Sequence, residues 1–288
     1  MAFNWSVFLD LLWSWKYLTI LLFTLLGWAL LARNRPMRRS RLLFQAIAFL
    51  LFGGVIGLLS PWVAREFGLH PSPMCAFGKG IAFPALAGTL PPPMVLLMGA
   101  IILLAFVGAK GFCGWVCPFG AIQEVAGRIP RLKRFRLPFR WTNAIRVLLV
   151  AVFFVLLFSA RRISYDYFNP FEFLHWGNLS HPLVWVPFTT MIVASLFLYR
   201  PFCTLICPIG LVSWLVERIS LGRIRVGSAC NDCGICLRTT DCQALPALVA
   251  RKKVVPDCHG CGDCLDTCPK EAIRFVWGPD REKGIPTA

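Results

Sequence analysis

Five long apolar blocks divide this chain, over Phe8–Leu31, Leu42–Trp62, Met94–Ala109, Ala144–Ala160 and Leu183–Tyr199. A hydrocarbon core of about 30 Å takes about 20 helical residues to cross, with about 17 as the short limit. The third and fifth blocks sit near that limit, and Asp10 and Lys16 interrupt the start of the first. Hydrophobic residues make up 57% of the chain and charged residues 15%, with a mean hydropathy of +0.65. Soluble domains carry about a quarter charged residues. The prediction is a mostly α fold, a polytopic membrane bundle of about five transmembrane helices.

Lys and Arg orient the bundle. They cluster between Arg33 and Arg41, between Lys110 and Arg146, and from Arg200 onward, leaving Lys16, Arg65, Lys79, Arg161 and Arg162 on the opposite side. Twenty-five of the thirty thus lie on one side, which the positive-inside rule makes cytoplasmic. The N-terminus is then outside and the C-terminus inside a bacterial cytoplasmic membrane. The net charge of +16 is read as a topology signal, and no nucleic-acid partner is expected, because no reading module accompanies it. No cleavable signal peptide is evident before the first block. The two outer segments, Val63–Pro93 and Arg161–Pro182, are too apolar for linkers and are expected to fold back on the membrane surface.

An internal repeat of period 90 matches residues 111–120 to residues 201–210, each a C-x-x-x-C-P unit following a spanning block. Pro118 and Pro208 suit the first turn of a helix, where a missing N–H costs nothing. Each copy predicts a transmembrane helix, a cysteine turn, and an amphipathic helix along the inner surface. Cys113/Cys117 and Cys203/Cys207, spaced i, i+4, would share a helix face. These four are candidate redox thiols or a metal site, with tight packing as the bland alternative.

Thirteen cysteines are present, and eight fall within Cys230–Cys268. Cys258, Cys261, Cys264 and Cys268-Pro269 follow C-x2-C-x2-C-x3-C-P, the bacterial ferredoxin run. Cys230, Cys233 and Cys236 open a partner run whose fourth cysteine, Cys242, comes after five residues rather than three. The crossed rule gives one [4Fe–4S] cluster to Cys230, Cys233, Cys236 and Cys268, and a second to Cys258, Cys261, Cys264 and Cys242. The lengthened spacing puts Cys242 in question. Zinc would need only four ligands, and this array supplies eight. His259 is taken as a surface residue modulating potential, not a ligand. Residues 1–220 read as the membrane domain and 221–288 as a small α+β ferredoxin-like 2[4Fe–4S] domain.

The combination resembles the NapH/NosR/MauN polyferredoxin family, over roughly Arg41 to Trp277. The matching residues are Phe112-Cys113 to Pro118, Asn169-Pro170, Phe202-Cys203 to Pro208 and both cluster runs. The resemblance implies transfer of electrons between the quinol pool and a partner redox protein: a ferredoxin-type subunit, a cytochrome or a periplasmic reductase. The extra first block and the spacing before Cys242 depart from the usual NapH pattern, and no large flavin domain of the NosR kind is present.

The leading expectation is a quinol-oxidising oxidoreductase subunit with two [4Fe–4S] clusters and quinol as substrate. Glu124, Asp166, Glu172, His175 and His181 are candidate quinone contacts. One alternative is an assembly factor supplying electrons for metal-centre maturation, like MauN or the copper-reducing polyferredoxins, with the C-x-x-x-C-P thiols as its working site. Another is a scaffold whose clusters only stabilise a docking domain. No haem b is expected, since all four His lie outside the apolar blocks. No nicotinamide or ATP motif occurs.

Overall fold

The computed structural model describes residues 5–13, 15–34, 38–51, 72–108, 110–128, 135–165, 169–171, 182–252 and 255–278. The architecture is mostly helical. The first apolar block forms two helices, α1 (Trp5–Leu12) and α2 (Trp15–Ala32), with the break between the two polar residues Asp10 and Lys16. Helix α3 (Arg38–Phe49) opens the second block, whose remainder lies outside the described residues. The third, fourth and fifth blocks become α5 (Pro92–Gly108), α7 (Phe139–Ala160) and α8 (Pro182–Phe197). Among the described residues only α7, at 22 residues, is both long and apolar enough to cross a membrane by itself.

One helix was not expected. Residues Pro73–Ala87 form α4 within the first outer segment, despite Gly78, Gly80 and an internal Pro84 that oppose helix formation. Its start is fixed instead: Ser72 caps it by accepting from the Cys75 N–H at 3.2 Å, with Pro73 in the first turn. Asn169 comes from the second outer segment to the same point, and its Nδ2 donates to Cys75 Sγ at 3.3 Å.

The two repeats fold alike. Each of the apolar helices α5 and α8 leads into a five-residue π-turn, Phe112–Val116 and Phe202–Ile206, closed by the Cys117 N–H to Phe112 O and the Cys207 N–H to Phe202 O, both 2.9 Å. Cys117 and Cys207 then turn extended (φ −61° and −64°), and Pro118 and Pro208 start α6 (Pro118–Ala126) and α9 (Pro208–Val216). The predicted order of helix, turn and helix is present in both copies, but the turn is wider than an α-helix. The first cysteine lies inside the π-turn and the second caps the next helix, so the pair does not share an α-helical face.

The tail closes on a two-stranded antiparallel sheet of β1 (Gly222–Val226) and β2 (Ile273–Trp277), with Ile224 opposite Phe275. Between them lie the short helices α10 (Ile235–Thr239), α11 (Leu245–Val249) and α12 (Asp263–Thr267). Gly234 and Gly262 precede α10 and α12 at φ +69° and +81°, a left-handed turn that a side chain would strain. The tail is fastened to the bundle: Leu221 N–H donates to Phe106 O at 2.8 Å, and Asn34 exchanges hydrogen bonds with the Phe275 backbone.

Candidate iron–sulfur sites

The tail cysteines fall into two groups. Burial and the neighbouring thiols of Cys268 and Cys230 push the Cys236 thiol up. These three and Cys233 line one cavity, and Cys233 is exposed. Cys242 lies with the other run: burial, then Cys261 and Cys258, push its thiol up. Cys264 is pushed up by burial and by Cys261, Cys242 and Cys258. The two-residue insertion therefore does not carry Cys242 away from its partners. It is taken up in the loop before α11, where the Leu245 N–H returns to Cys242 O at 3.4 Å.

Both groups present the donor set of a [4Fe–4S] cluster: four thiols, with backbone amides turned toward sulfur. The amides of Leu237, Ala244 and Gly260 lie near the sulfurs of Cys236, Cys242 and Cys258 and favour their charged form. Ala272 N–H donates to Cys268 Sγ at 3.3 Å. Among the described residues no three His, Cys, Asp or Glu side chains come together as the ligands of a single ion.

The second group is embedded in the bundle. Gly114, in the first π-turn, lies under the His259 carbonyl, and a Cβ there would meet that oxygen at 2.3 Å. Trp115 Nε1 donates to Gly260 O at 2.9 Å, and the Tyr199 hydroxyl lies 3.9 Å from Cys261 Sγ. His259 is buried, not at the surface as expected: the bundle covers the run that carries it, and Tyr199 meets its ring edge-on. Burial, then Arg200, Lys110 and Arg146, hold its imidazole well below its ordinary pKa, so it is neutral.

Around this junction is a charge cluster that sequence reasoning missed. Glu124 accepts from Arg41 Nη1 at 2.8 Å and also pairs with Arg128 and Arg200. Arg41 continues to Asp263 at 2.6 Å, joining the bundle to α12 of the tail. Burial alone would raise the Glu124 carboxyl, but Arg200, Arg41 and Arg128 outweigh it and hold it well below the usual range. It is a fixed anion paired with three arginines. Arg146 pairs with Asp257 in the same layer. The other candidate quinone contacts, Asp166, Glu172, His175 and His181, lie outside the described residues.

The four repeat cysteines also meet. Burial, then Cys203, Cys113 and Cys207, push the Cys117 thiol well up, and burial with Cys203 raises Cys113 to about 12. Gln123, on α6 of the first repeat, clamps the second: its Nε2 donates to Cys203 Sγ at 3.4 Å and its Oε1 accepts from the Phe202 N–H at 2.9 Å. No disulfide joins any of the thirteen cysteines.

A family model described as a 4Fe-4S binding domain matches residues 90–138 and 180–227, the two repeats with their flanking helices. The putative electron transport protein YccM of Escherichia coli (strain K12) is 27% identical over 200 residues, 62% of this chain and 55% of that protein. The methylamine utilization ferredoxin-type protein MauN of Paracoccus denitrificans is 28% identical over 190 residues, 65% of this chain and 62% of its own length. The ferredoxin-type protein NapH of Haemophilus influenzae is 26% identical over 204 residues, 65% of this chain and 69% of that protein. The match thus spans less than two thirds of the length of YccM and of MauN. No solved structure matches the chain.

Proposed function

We propose that this chain is a member of the NapH/NosR/MauN family of ferredoxin-type electron-transport proteins, to which it is similar, and that it passes electrons between the membrane quinol pool and a partner redox enzyme through two [4Fe–4S] clusters. One observation carries this reading: two neighbouring four-thiol groups of unequal burial. Cys261 and Cys264 are buried, whereas Cys233 is exposed. An inner and an outer carrier in series suit transfer from the bundle to a soluble partner. Bound clusters would supply one-electron carriers there.

In this proposal Cys230, Cys233, Cys236 and Cys268 hold the outer cluster, and Cys242, Cys258, Cys261 and Cys264 the inner one. Amide-to-sulfur hydrogen bonds fix the thiolates and favour their charged form. Residues 1–220 form the membrane part, with about five crossings and an outer N-terminus, and residues 221–288 the cytoplasmic unit. The apolar face of α7, where Leu148, Val155 and Phe158 are 62–66% exposed, supports a bundle set in lipid, since such a face is otherwise costly in water.

The test is anaerobic reduction of the purified full chain by a quinol analogue. Bleaching of the cluster absorbance, followed by reoxidation with an added acceptor protein, is the expected result. Clusters that dithionite reduces but quinol does not would overturn the quinol assignment.

A further inference from the structure

We propose that the quinol ring binds in the cavity at the junction of bundle and tail, between Tyr199 and Cys242, with Asp266 and Asp241 as its proton acceptors. This rests on the electron-transfer reading above and names the site that reading leaves open. The cavity has a volume of about 230 Å³. Sites for drug-sized ligands run about 300–1,000 Å³, so this one has room for a single substituted ring. Its walls come from both halves of the chain: Glu124, Arg128 and Tyr199 from the bundle, and Cys242, the segment before it and one face of α12 from the tail.

The two-residue lengthening of the first cysteine run builds part of the wall. Thr239, Thr240 and Asp241, just before Cys242, all line the cavity. With the usual three residues in place of five, the run would have two fewer to form it. On α12, Asp263, Asp266 and Thr267 are spaced i, i+3 and i+4 and so share a helix face. Thr239 Oγ1 donates to Ile235 O at 2.9 Å and Thr267 Oγ1 to Cys264 O at 3.2 Å, so both hydroxyl oxygens keep lone pairs for an incoming donor. With the carboxylates they make a lining rich in hydrogen-bond acceptors, which fits the two hydroxyl donors of a reduced ring. Arg41 anchors Glu124 and Asp263, and Asp241 is exposed, which gives protons a way to water.

The sulfur ligands are equally close. Cys242 lines the cavity, and the hydroxyl of Tyr199 lies 3.9 Å from Cys261 Sγ. Both cysteines belong to the inner group. In the oxidation both quinol O–H bonds break. The two protons pass to the Asp266 and Asp241 carboxylates and then to water, and the two electrons leave singly, past Cys242, to the partner redox protein.

A lipid-borne ligand also needs an apolar approach. The Phe135 N–H donates to Phe197 O at 2.9 Å, and Gln243 Nε2 donates to Phe135 O at 3.0 Å. These bonds set two exposed rings, Phe135 and Phe197, beside Tyr199 and Cys242, and Val125, also exposed, follows Glu124. The patch takes the isoprenoid tail while the ring enters the cavity.

The test is photolabelling of the anaerobically purified full chain with an azido-quinone carrying a short isoprenoid tail, followed by peptide mapping, together with the Kd of the same analogue. Label on the peptides holding Tyr199, residues 239–242 or residues 263–267, displaced by excess quinol, is the expected result. Asp266→Leu should weaken binding about tenfold, the size of one lost hydrogen bond to a charged group, with iron content unchanged. Thr239→Trp, which fills the cavity, serves if that variant does not fold, and Gly99→Ala should bind as the parent. Label confined to other peptides, or a Kd that neither variant moves, would overturn the site even where quinol reduces the protein. Calcium or magnesium retained by the unlabelled chain and lost in Asp266→Leu would also overturn it. A parent that the analogue does not label and quinol does not reduce would overturn the electron-transfer reading together with the site.

Discussion

Lys110 and Arg200 stand at equivalent positions of the two repeats, and each crosses to a carboxylate of the other repeat: Lys110 Nζ lies 3.8 Å from Glu217 Oε1, and Arg200 pairs with Glu124. The exchange locks the repeats face to face, which brings their cysteines together. The two pairs are unequal. Glu124 is held by three arginines, whereas both oxygens of Glu217 are buried without a hydrogen-bond partner among the described residues.

Removing the Glu124 charge should be severe. Glu124→Gln leaves Arg41 and Arg200, both fully buried, without their shared anion. Breaking such a pair costs about 3–5 kcal/mol. Thermal unfolding in detergent should show a large fall in midpoint for this variant and a smaller one for Arg128→Gln, whose guanidinium is partly exposed.

Glu217 makes stability depend on pH in the opposite sense to a salt-bridged carboxylate. Burial, partly opposed by Lys110, raises its pKa to about 7 from 4.5. Between those values the folded protein binds more protons than the unfolded chain, so stability falls as pH rises from about 4.5 to about 7. The span corresponds to about 3 kcal/mol. Glu217→Gln, which stays neutral, should flatten this part of the profile and exceed the parent in stability at pH 8. An unchanged profile would remove Glu217 as the titrating group.

Gly114 is a contact point between bundle and tail. Gly114→Ala pushes a methyl group into the His259 carbonyl, and overpacking of this kind costs about 1–3 kcal/mol. The variant should loosen the tail, seen as faster proteolysis after Gly227, while Gly99→Ala, which meets nothing within 4 Å, should behave as the parent.

The ligand groups predict crossed losses. Cys242→Ser should impair the centre of Cys258, Cys261 and Cys264, and Cys268→Ser the one of Cys230, Cys233 and Cys236. Redox titration followed by electron paramagnetic resonance should find a different centre altered in each. Loss of the same centre in both variants would contradict the pairing.

Local patterns were legible in the sequence, and long-range charge pairing was not. The cysteine runs could be read because ligand spacing is a property of a few consecutive residues. The repeat could be read because its two copies share identical residues at fixed offsets. The π-turn was hidden, since i, i+4 spacing fits both an α-helix and a π-turn closed by a capping cysteine. The cluster of Arg41, Glu124, Arg200 and Asp263 joins residues as much as 222 positions apart; Arg41 and Arg200 look like ordinary charges at the ends of apolar blocks, and Asp263 lies inside a cysteine run. His259 was misjudged for the same reason: its own run resembles a surface loop, and only the approach of Gly114 and Tyr199 buries it.

In the proposed relay the tail thiolates hold iron and sulfide in two neighbouring clusters beside a membrane bundle. Electron paramagnetic resonance of the reduced, anaerobically purified full chain tests it most directly. Two magnetically interacting [4Fe–4S] signals, simplified to one isolated centre by Cys268→Ser, are predicted. A preparation containing zinc, or reducing without any paramagnetic centre that depends on Cys230–Cys268, would contradict it.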